Sequence, residues 1–217
     1  VVSKLNALFS APYTSYTQIA MTMKTLKIIL ASSSPYRRAL LERLNLPFET
    51  SSPDIDETPI KEESPQATVV RLSIAKAQVI ANQAEDPSLI IGSDQLAVVN
   101  GQVLGKPGNA ENACRQLSML SGNRVTFMTG LALVNSLSGH IQSEMVPFHV
   151  EFRELSDAEI RRYVDHEEPF NCAGSFKSEG LGISLFKRME GDDPNALVGL
   201  PLIQLVTMLK NEGIAVP

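Results

Sequence analysis

The most constraining feature of this chain is the dipeptide Asn100-Gly101, which stands between two runs of strand-forming residues. Asn-Gly is the strongest short hairpin-turn signal, and its two-residue turn sets the pairing of the flanking strands. Continued pairing places Gln95 opposite Lys106, with Asp94 diagonal to that lysine near the open end of the hairpin. Residues that disturb regular alternation stand at the same end: Gly92, Gly105 and Pro107. The sequence therefore predicts a hairpin with a carboxylate and an ammonium near its open end.

A second local signal is a strand that leads without a break into a turn and a helix. The apolar residues 26–30 suit a buried strand and run into a serine-rich stretch. Ser34 followed by Pro35 is a strong helix start, because serine caps a helix and proline fits its first position. Ser64 and Pro65 repeat this signal ahead of a second helix.

The rest of the pattern interleaves helices with strands. Ser156 and Glu159 form a capping box ahead of one helix. Further helices are predicted at about 110–120, closed by Gly122, and at about 201–209, and further strands at 125–129, 131–135 and 146–152. This order predicts a mixed α/β fold.

Composition and motif spacing argue against several classes of protein. A formal net charge of -5 argues against a broad nucleic-acid-binding surface. Two cysteines without CxxC spacing and three histidines without ligand spacing argue against a disulfide framework, a zinc site and a histidine triad. They favour a reducing compartment, so we expect a cytoplasmic protein. No apolar run is long enough to span a membrane.

The first residues differ from the rest of the chain. Residues 1–22 carry many Ser and Thr, one Lys and no acidic residue. We expect them to form a poorly ordered extension, with a transit peptide as the alternative. Residues 23–217 are expected to form one domain, open to division into two lobes around a cleft.

Arg37 and Arg38 occupy the first turn of the helix that Ser34 begins. A helix N-terminus carries partial positive charge and free N–H donors, so cations there cost about 0.3–1 kcal/mol each when exposed. The same features attract anions, and the two arginines would reinforce a phosphate site. The alternative is that both are solvated and pair with Glu42 one turn later.

An acidic loop and two lysines complete the candidate chemistry. Residues 54–59 include Glu57, and Mg²⁺ usually binds through one or two carboxylates plus substrate phosphates. Such loops are also often only solvated. Asp94 interrupts an apolar stretch, which indicates either a structural cap or a working base. Lys76 and Lys106 are candidates to neutralise charge on phosphate oxygens.

A glycine-rich stretch at 172–182 contains Glu179. Glycines let backbone approach a ligand closely, and the carboxylate offers two acceptor oxygens. Spacing alone favours a simple connecting loop.

Together these stretches resemble the Maf family of house-cleaning nucleoside triphosphate pyrophosphatases. The matching motifs, in chain order, are Leu-Ala-Ser-Ser-Ser-Pro-Tyr-Arg-Arg (30–38), Asp-Glu-Thr-Pro (56–59), Ala-Lys-Ala (75–77), Ile-Gly-Ser-Asp-Gln (91–95), Gly-Lys-Pro (105–107) and Val-Gly-Leu-Pro (198–201). Each motif is weak alone, but the ordered set is specific.

The resemblance implies a two-lobed α/β fold around a mixed sheet, related to inosine triphosphate pyrophosphatases, with the nucleotide in the cleft. It implies hydrolysis between the α and β phosphates with a divalent cation, Mg or Mn, and it makes a homodimer an expectation. By carry-over, Asp94 accepts the proton of the attacking water and Glu57 helps to hold the metal with it. The residues that would grip the triphosphate are Ser32, Arg37, Arg38, Lys76 and Lys106.

Three specificity positions of the family read Tyr36, Gln95 and Glu179 here. The branch that acts on dTTP and UTP has Arg, Thr and Gln there, and this chain departs from it at all three. It is similar to the branch that acts on 7-methyl-GTP, which has an aromatic residue, Gln and Glu, although Tyr stands here in place of the expected Trp. The alternative for Tyr36 is a helix residue packed on the neighbouring lobe.

Two other functions stay open at this point. One is the same hydrolysis on dTTP, UTP or a broad range of noncanonical nucleotides. The other is a nucleotide-binding regulator of cell division without enzymatic activity, which the presence of Asp94 and both lysines disfavours.

Overall fold

The structure, a computed structural model, describes residues 26–216, so the predicted extension at 1–22 lies outside the described residues. The strands are β1 (Lys27–Ala31), β2 (Glu49–Ser51), β3 (Ser88–Val99), β4 (Gln102–Leu104), β5 (Arg124–Asn135), β6 (Ile141–Phe152) and β7 (Phe186–Glu190). The α-helices are α1 (Pro35–Glu42), α2 (Pro65–Gln83), α3 (Ala110–Leu120), α4 (Asp157–Glu167), α5 (Pro194–Val198) and α6 (Leu202–Asn211). Two 3-10 helices, Ala173–Ser175 and Leu181–Leu185, lie in the glycine-rich stretch. No helix within 26–216 is long and apolar enough to cross a membrane.

All seven strands form one mixed sheet, in agreement with the mixed sheet that the family resemblance implies. The order is β2-β1-β3-β5-β6-β7, and β4 pairs with the second half of β3. β1 runs parallel to β2 and β3, whereas the pairs from β3 to β7 are antiparallel. The predicted strands at 125–129 and 131–135 are one continuous strand, because Gly130 stays within the β5 ladder.

The hairpin follows its turn signal and then departs from the expected register. Val99 pairs with Gln102, as a two-residue Asn-Gly turn requires, but β4 ends at Leu104. The expected pairing of Gln95 with Lys106 is therefore wrong. Gln95 lies opposite Thr129 of β5, while the chain after β4 turns away from β3.

The predicted helix starts are confirmed by their caps. The Ser34 side chain accepts the Arg37 N–H, and Ser64 caps α2 in the same way. Both halves of the capping box at Ser156 and Glu159 are present at α4. Three short elements were not predicted, namely β2, β7 and α5. They have three to five residues each, too few to show a periodic pattern.

Apolar side chains form two large clusters, and a smaller third cluster packs α2 against the sheet. One cluster joins α3 and α4 to β5 and β6, around the fully buried Phe127. The other joins β1, α1 and α6, with Leu41 and Leu205 at its centre. β3 belongs to both, since its first half packs in the second cluster and Ala97 and Val99 pack in the first.

Helix α2 lies against the sheet over two glycines. A β-carbon added at Gly92 would come within 3.0 Å of the Ser73 carbonyl oxygen, and one at Gly130 would come as close to the Val69 carbonyl. Only a residue without a side chain therefore allows the helix this close. The close approach brings Lys76 of α2 to Asp94, which is the cross-strand partner of Gly130.

Candidate active site

The site lies where β3 changes its neighbour. β1 pairs with the first half of β3 up to the pair Ala31–Gly92, whereas β4 pairs with β3 from Ala97 onward. Residues 93–96 lie between these two pairings. A cavity of about 760 Å³ opens at this gap, with the chain after β1 on one wall and the chain after β4 on the other. This is a ligand position typical of α/β sheets, where strands diverge beyond their carboxyl ends.

Nine of the ten predicted site residues line this cavity. They are Ser32, Tyr36, Arg37, Glu57, Lys76, Asp94, Gln95, Lys106 and Glu179. The tenth, Arg38, is exposed, and its Nε donates to Glu42 Oε1 at 3.1 Å. For Arg38 the arrangement is therefore the solvated pair that the sequence left open.

Lys76 and two carboxylates form the charged centre of the cavity. Lys76 Nζ lies 2.6 Å from Asp94 Oδ1 and 2.7 Å from Glu57 Oε1. The side chains of Lys76 and Asp94 are only 10% and 11% exposed, while that of Glu57 is 56% exposed. The hydrogen bond from Lys76 is the main cause that lowers the pKa of Glu57, and the charges of Lys106 and Arg37 lower it further.

Arg37 reaches the cavity from the first turn of α1. Its Nε donates to the carbonyl oxygen of Gly199 at 2.8 Å, which leaves the two terminal nitrogens of the guanidinium for a ligand. Burial lowers the pKa of Arg37, and the carboxylates of Asp94 and Glu57 oppose that effect. The guanidinium stays charged, because an arginine side chain does not deprotonate in proteins.

The start of α1 offers fewer free donors than the sequence led us to expect. Ser34 Oγ accepts the Arg37 N–H, and the Ser34 carbonyl accepts the Arg38 N–H. Ser32 is buried, and its Oγ accepts the Ser34 N–H. Much of the polar capacity of this turn therefore holds the turn itself, and the Arg37 side chain is the main group available for an anion.

Lys106 is held on the opposite wall by α3 and a neighbouring loop. Gln116 Nε2 donates to the Gly105 carbonyl at 3.2 Å, and Asn112 Nδ2 donates to the Pro107 carbonyl at 2.9 Å. The Gly108 N–H bonds the Phe170 carbonyl at 3.0 Å. Both neighbours of Lys106 are thus fixed although it lies outside a strand.

Tyr36 and Glu179 line the cavity within electrostatic reach of each other. The Tyr36 hydroxyl lies 4.0 Å from the Cys172 sulfur. Burial, together with the nearby Cys172 and Glu179, raises the pKa of Tyr36 to about 12. Tyr36 is therefore a neutral aromatic surface at any physiological pH, and an exposed carboxylate lies within electrostatic reach of it.

The glycine-rich loop that carries Glu179 is tethered to α4. The Tyr163 hydroxyl accepts the Lys177 N–H at 2.9 Å, and Glu167 Oε1 accepts the Leu181 N–H at 2.8 Å. Lys177 Nζ also contacts Glu167. The aromatic ring of Phe176, which lines the cavity, makes edge contacts with three rings: Phe127, Phe152 and Phe186. These contacts fix the position of the loop at the cavity wall.

Gln95 uses its side-chain nitrogen on the protein itself. Nε2 donates to the carbonyl oxygens of Ala196 and Leu197 at 2.8 and 3.1 Å, and lies 3.0 Å from Thr129 Oγ1. These carbonyls belong to α5, which sequence reasoning missed as an element. The only signal for it was the Val-Gly-Leu-Pro motif at 198–201, noted as part of a resemblance without a role.

Comparison with known proteins identifies the family of this chain. The sequence matches the Maf-like protein family over residues 27–212. The chain belongs to this family. A curated relative from Alcanivorax borkumensis, named 7-methyl-GTP pyrophosphatase, is 58% identical over 197 residues, which is 91% of this chain and 100% of that protein.

Solved structures support the fold of this Maf protein. The structure of a HAM1 protein from Coxiella burnetii matches with a TM-score of 0.50 and 19% identity, covering 86% of this chain and 99% of the other. At this identity the likeness concerns the fold alone. It agrees with the mixed α/β fold that the resemblance led us to expect.

The donor set fits a divalent cation held jointly with a substrate. Within 26–216 no three His, Cys, Asp or Glu side chains come together to hold a metal by themselves. Glu57 and Asp94 do place a carboxylate oxygen within bonding distance of one shared cation, the Lys76 ammonium. Two carboxylates completed by phosphate oxygens and water are a typical Mg²⁺ site.

The charges of the cavity wall support the same interpretation. Among the described residues that line it, three are basic (Arg37, Lys76 and Lys106) and four are acidic (Glu57, Glu63, Asp94 and Glu179). Such a wall has no positive excess to balance a triphosphate. A divalent cation bound with the phosphates would supply the missing charge.

Proposed function

We propose that this Maf protein is a nucleoside triphosphate pyrophosphatase that hydrolyses 7-methyl-GTP to 7-methyl-GMP and pyrophosphate. The observation that carries the proposal is a single cavity lined both by an aromatic and acidic pair, Tyr36 and Glu179, and by a charged group around Lys76 and Asp94. A base and a triphosphate need these two kinds of surface. The 58% identical relative named for this activity supports the choice of substrate.

The base end suits a methylated guanine. Methylation at N7 makes the ring cationic, and a cation over an aromatic face gains about 0.5–2 kcal/mol. The high pKa of Tyr36, about 12, keeps this ring neutral. Glu179 offers two acceptor oxygens to the two donors on the pairing edge of guanine, where a glutamine would match only one.

Gln95 takes part in base selection through its placement. Its nitrogen is bound to the α5 carbonyls, so its amide plane is fixed where the side chain lines the cavity. We infer that it shapes the base end, with its carbonyl oxygen as the group left for a ligand.

The phosphate end is formed by cations on both walls. Arg37 approaches from α1 and Lys106 from the turn after β4, with the buried Ser32 behind the first of them. We infer that these groups hold the triphosphate and neutralise the charge that develops on its oxygens. Arg38 lies outside the cavity, so its predicted grip on the phosphates has no support in this arrangement.

Asp94 is the group placed to take the proton of the attacking water. Asp94 is buried and lies in residues 93–96 of β3, between the pairings with β1 and β4, and Lys76 bonds one of its oxygens. Its other oxygen is the one available to the water, whose attack would separate the α phosphate from pyrophosphate. A divalent cation, Mg or Mn, would be held by Glu57 and Asp94, and when bound it would polarise phosphate oxygens.

The decisive experiment measures pyrophosphate release from a nucleotide panel with and without Mg²⁺. We expect 7-methyl-GTP to be the best substrate and Asp94→Asn to lose turnover at least about 100-fold, as general-base catalysis is worth 10²–10⁴. The matched control is Asp165→Asn, an exposed aspartate on α4, which should retain full activity.

Other outcomes would assign a different function. Activity on dTTP or UTP equal to that on 7-methyl-GTP would overturn the substrate, and broad activity would indicate a general house-cleaning enzyme. Nucleotide binding without turnover would favour a cell-division regulator. The expected homodimer and cytoplasmic location remain predictions, checked by light scattering and by fractionation.

A further inference from the structure

Lys76 occupies the position between the two carboxylates that would hold a metal. Its ammonium bonds Glu57 and Asp94 at 2.7 and 2.6 Å. Sequence reasoning had assigned this lysine to the phosphates, so its position on both carboxylates is a finding of the structure. The side chain of Lys76 projects from α2 and is only 10% exposed, and both of its carboxylate partners belong to other parts of the chain.

An ammonium and a divalent cation cannot share this position. The ammonium already lies between the two carboxylates, and like charges a few ångströms apart repel strongly in a partly buried site. Metal binding at Glu57 and Asp94 therefore requires Lys76 to move. A lysine has a flexible four-carbon stem, so it can move without the helix that carries it.

We propose that Lys76 is a place-holder for the divalent cation, which makes the free protein a poor metal binder and lets the metal enter together with the nucleotide. This inference rests on the proposed function, since it assumes a triphosphate ligand. The arriving phosphates offer Lys76 a new anionic partner, and the metal takes over the two carboxylates.

Charge balance supports this exchange. In the free protein one ammonium faces two carboxylates, which leaves a net negative centre that is partly compensated by Lys106 and Arg37. A divalent cation would balance both carboxylates, and the released ammonium would then lie against a triphosphate. Each charge has a partner before and after the exchange, whereas a metal without nucleotide would leave Lys76 with none.

The exchange also explains the different environments of the two carboxylates. Asp94 is fixed in β3, paired with β5 on one side. Glu57 lies in the long loop between β2 and α2 and is more than half exposed. The rigid carboxylate keeps the position of the site, and the exposed one can adjust when its partner changes from an ammonium to a metal.

The test measures Mn²⁺ binding in the absence of nucleotide. Electron paramagnetic resonance quantifies the free ion, and calorimetry gives the affinity independently. Wild type should bind Mn²⁺ weakly, and Lys76→Met should bind at least about tenfold more tightly, because a like charge at contact distance has been removed. Lys106→Met is the matched control, because it removes a cavity cation that acts on Glu57 only through its charge and not through a direct ion pair, and it should change the affinity by less than about threefold. The double variant Lys76→Met with Asp94→Asn should lose the gain.

Wild-type binding of Mn²⁺ as tight as that of Lys76→Met would overturn the proposal, and so would an equal gain in Lys106→Met. Far-ultraviolet circular dichroism checks that the variants fold, and Lys76→Gln serves if the methionine variant does not. The readout does not depend on turnover. If wild type hydrolyses no nucleotide but Lys76→Met gains Mn²⁺ affinity, the place-holder role of Lys76 is supported and the proposed function is wrong. If wild type is active but Lys76→Met has unchanged Mn²⁺ affinity, the proposed function is supported and the place-holder role is wrong.

Discussion

The substitution Gly130→Ala tests how the sheet and α2 together build the site. Gly130 is the cross-strand partner of Asp94, and the added methyl group would point at α2. It would lie less than 3.0 Å from the Val69 carbonyl and from Ser73 Oγ, where ordinary contacts begin at 3.4 Å. Backbone cannot rotate out of the way as a side chain can, so α2 must retreat from the sheet by about 1 Å.

Two effects follow from that displacement. Forcing a methyl group into a packed interior costs about 1–3 kcal/mol. For a chain of this size each kcal/mol lowers the melting temperature by roughly 2–4 °C, so we expect a fall of about 2–12 °C. The same movement displaces Lys76 relative to both Asp94 and the rest of the cavity, and an error of about 1 Å in an active site can reduce turnover about 100-fold.

Thermal unfolding by circular dichroism and steady-state turnover of 7-methyl-GTP measure the two effects. The control for stability is Gly105→Ala, where an added β-carbon meets no atom within 4 Å. There the loss of unfolded-state freedom should leave stability unchanged or raise it by about 0.4–1 kcal/mol. A Gly130→Ala protein with wild-type melting temperature and turnover would show that α2 does not need the glycine, and the account of how Lys76 reaches Asp94 would be wrong.

Two further predictions concern the arginines and the C-terminal helix. Arg37→Met should raise KM for the nucleotide by at least about tenfold, since a charge-assisted contact to phosphate is worth about 1.5–3 kcal/mol. Arg38→Met is the control and should change KM less than about twofold, because Arg38 is exposed and pairs with Glu42. Equal changes of KM in the two variants would contradict the different positions of the two side chains. Burial works to raise the pKa of Glu212, but hydrogen bonds from Asn135, His140 and Gln142 outweigh it and hold the pKa below its usual 4.5. A carboxyl group with a lowered pKa stabilises the fold above its unfolded pKa, and this stabilisation is lost as the pH falls through its folded pKa. Glu212→Gln should therefore lower the free energy of unfolding by about 1–3 kcal/mol at pH 7, and the difference from wild type should shrink below about pH 4.5 in melting curves across pH. A difference that does not change with pH would exclude this role.

Local chemistry made the starts of several elements predictable from the sequence. Serine followed by proline marks α1 and α2, because the hydroxyl caps the helix and the ring fits its first turn. Asn100 and Gly101 set the first pairs of the β3–β4 hairpin, since both adopt positive φ there. In each case the cause lies within a few residues of the structure it produces.

Features that depend on distant partners were not predictable in the same way. β4 stops pairing with β3 at Leu104, because the chain turns away at Gly105. The other side of the gap is formed by β1, which lies roughly 70 residues earlier in the chain. The short helix α5 has only five residues. Its role follows from its carbonyl groups: Gln95 and Thr129 donate to the Ala196 carbonyl, and Arg37 donates to the carbonyl of Gly199 just after the helix.

The candidate site shows the same division. The residue types at Asp94, Lys76 and Glu57 indicated phosphate and metal chemistry, and nine of the ten candidates do line one cavity. The sequence alone does not show which charged side chains contact each other, because those contacts depend on how closely α2 approaches the sheet. Two glycines on different strands decide it, Gly92 and Gly130, and their contact with α2 becomes visible only in the folded protein.

The wrong register at the open end of the hairpin and the position of the site have one cause. If Gln95 had paired with Lys106, the edge of β3 beside Asp94 would have been covered by β4, and its backbone and side chain would have been closed to a ligand. The chain instead releases that edge between the last pair with β1 and the first pair with β4. A sheet that gives up pairing over four residues needs other groups to replace the lost contacts, and here the neighbouring side chains Ser93 and Gln95 bond to the α5 segment. The gap in the sheet is therefore held open from the opposite face, which leaves the Asp94 face free to meet Lys76 of α2.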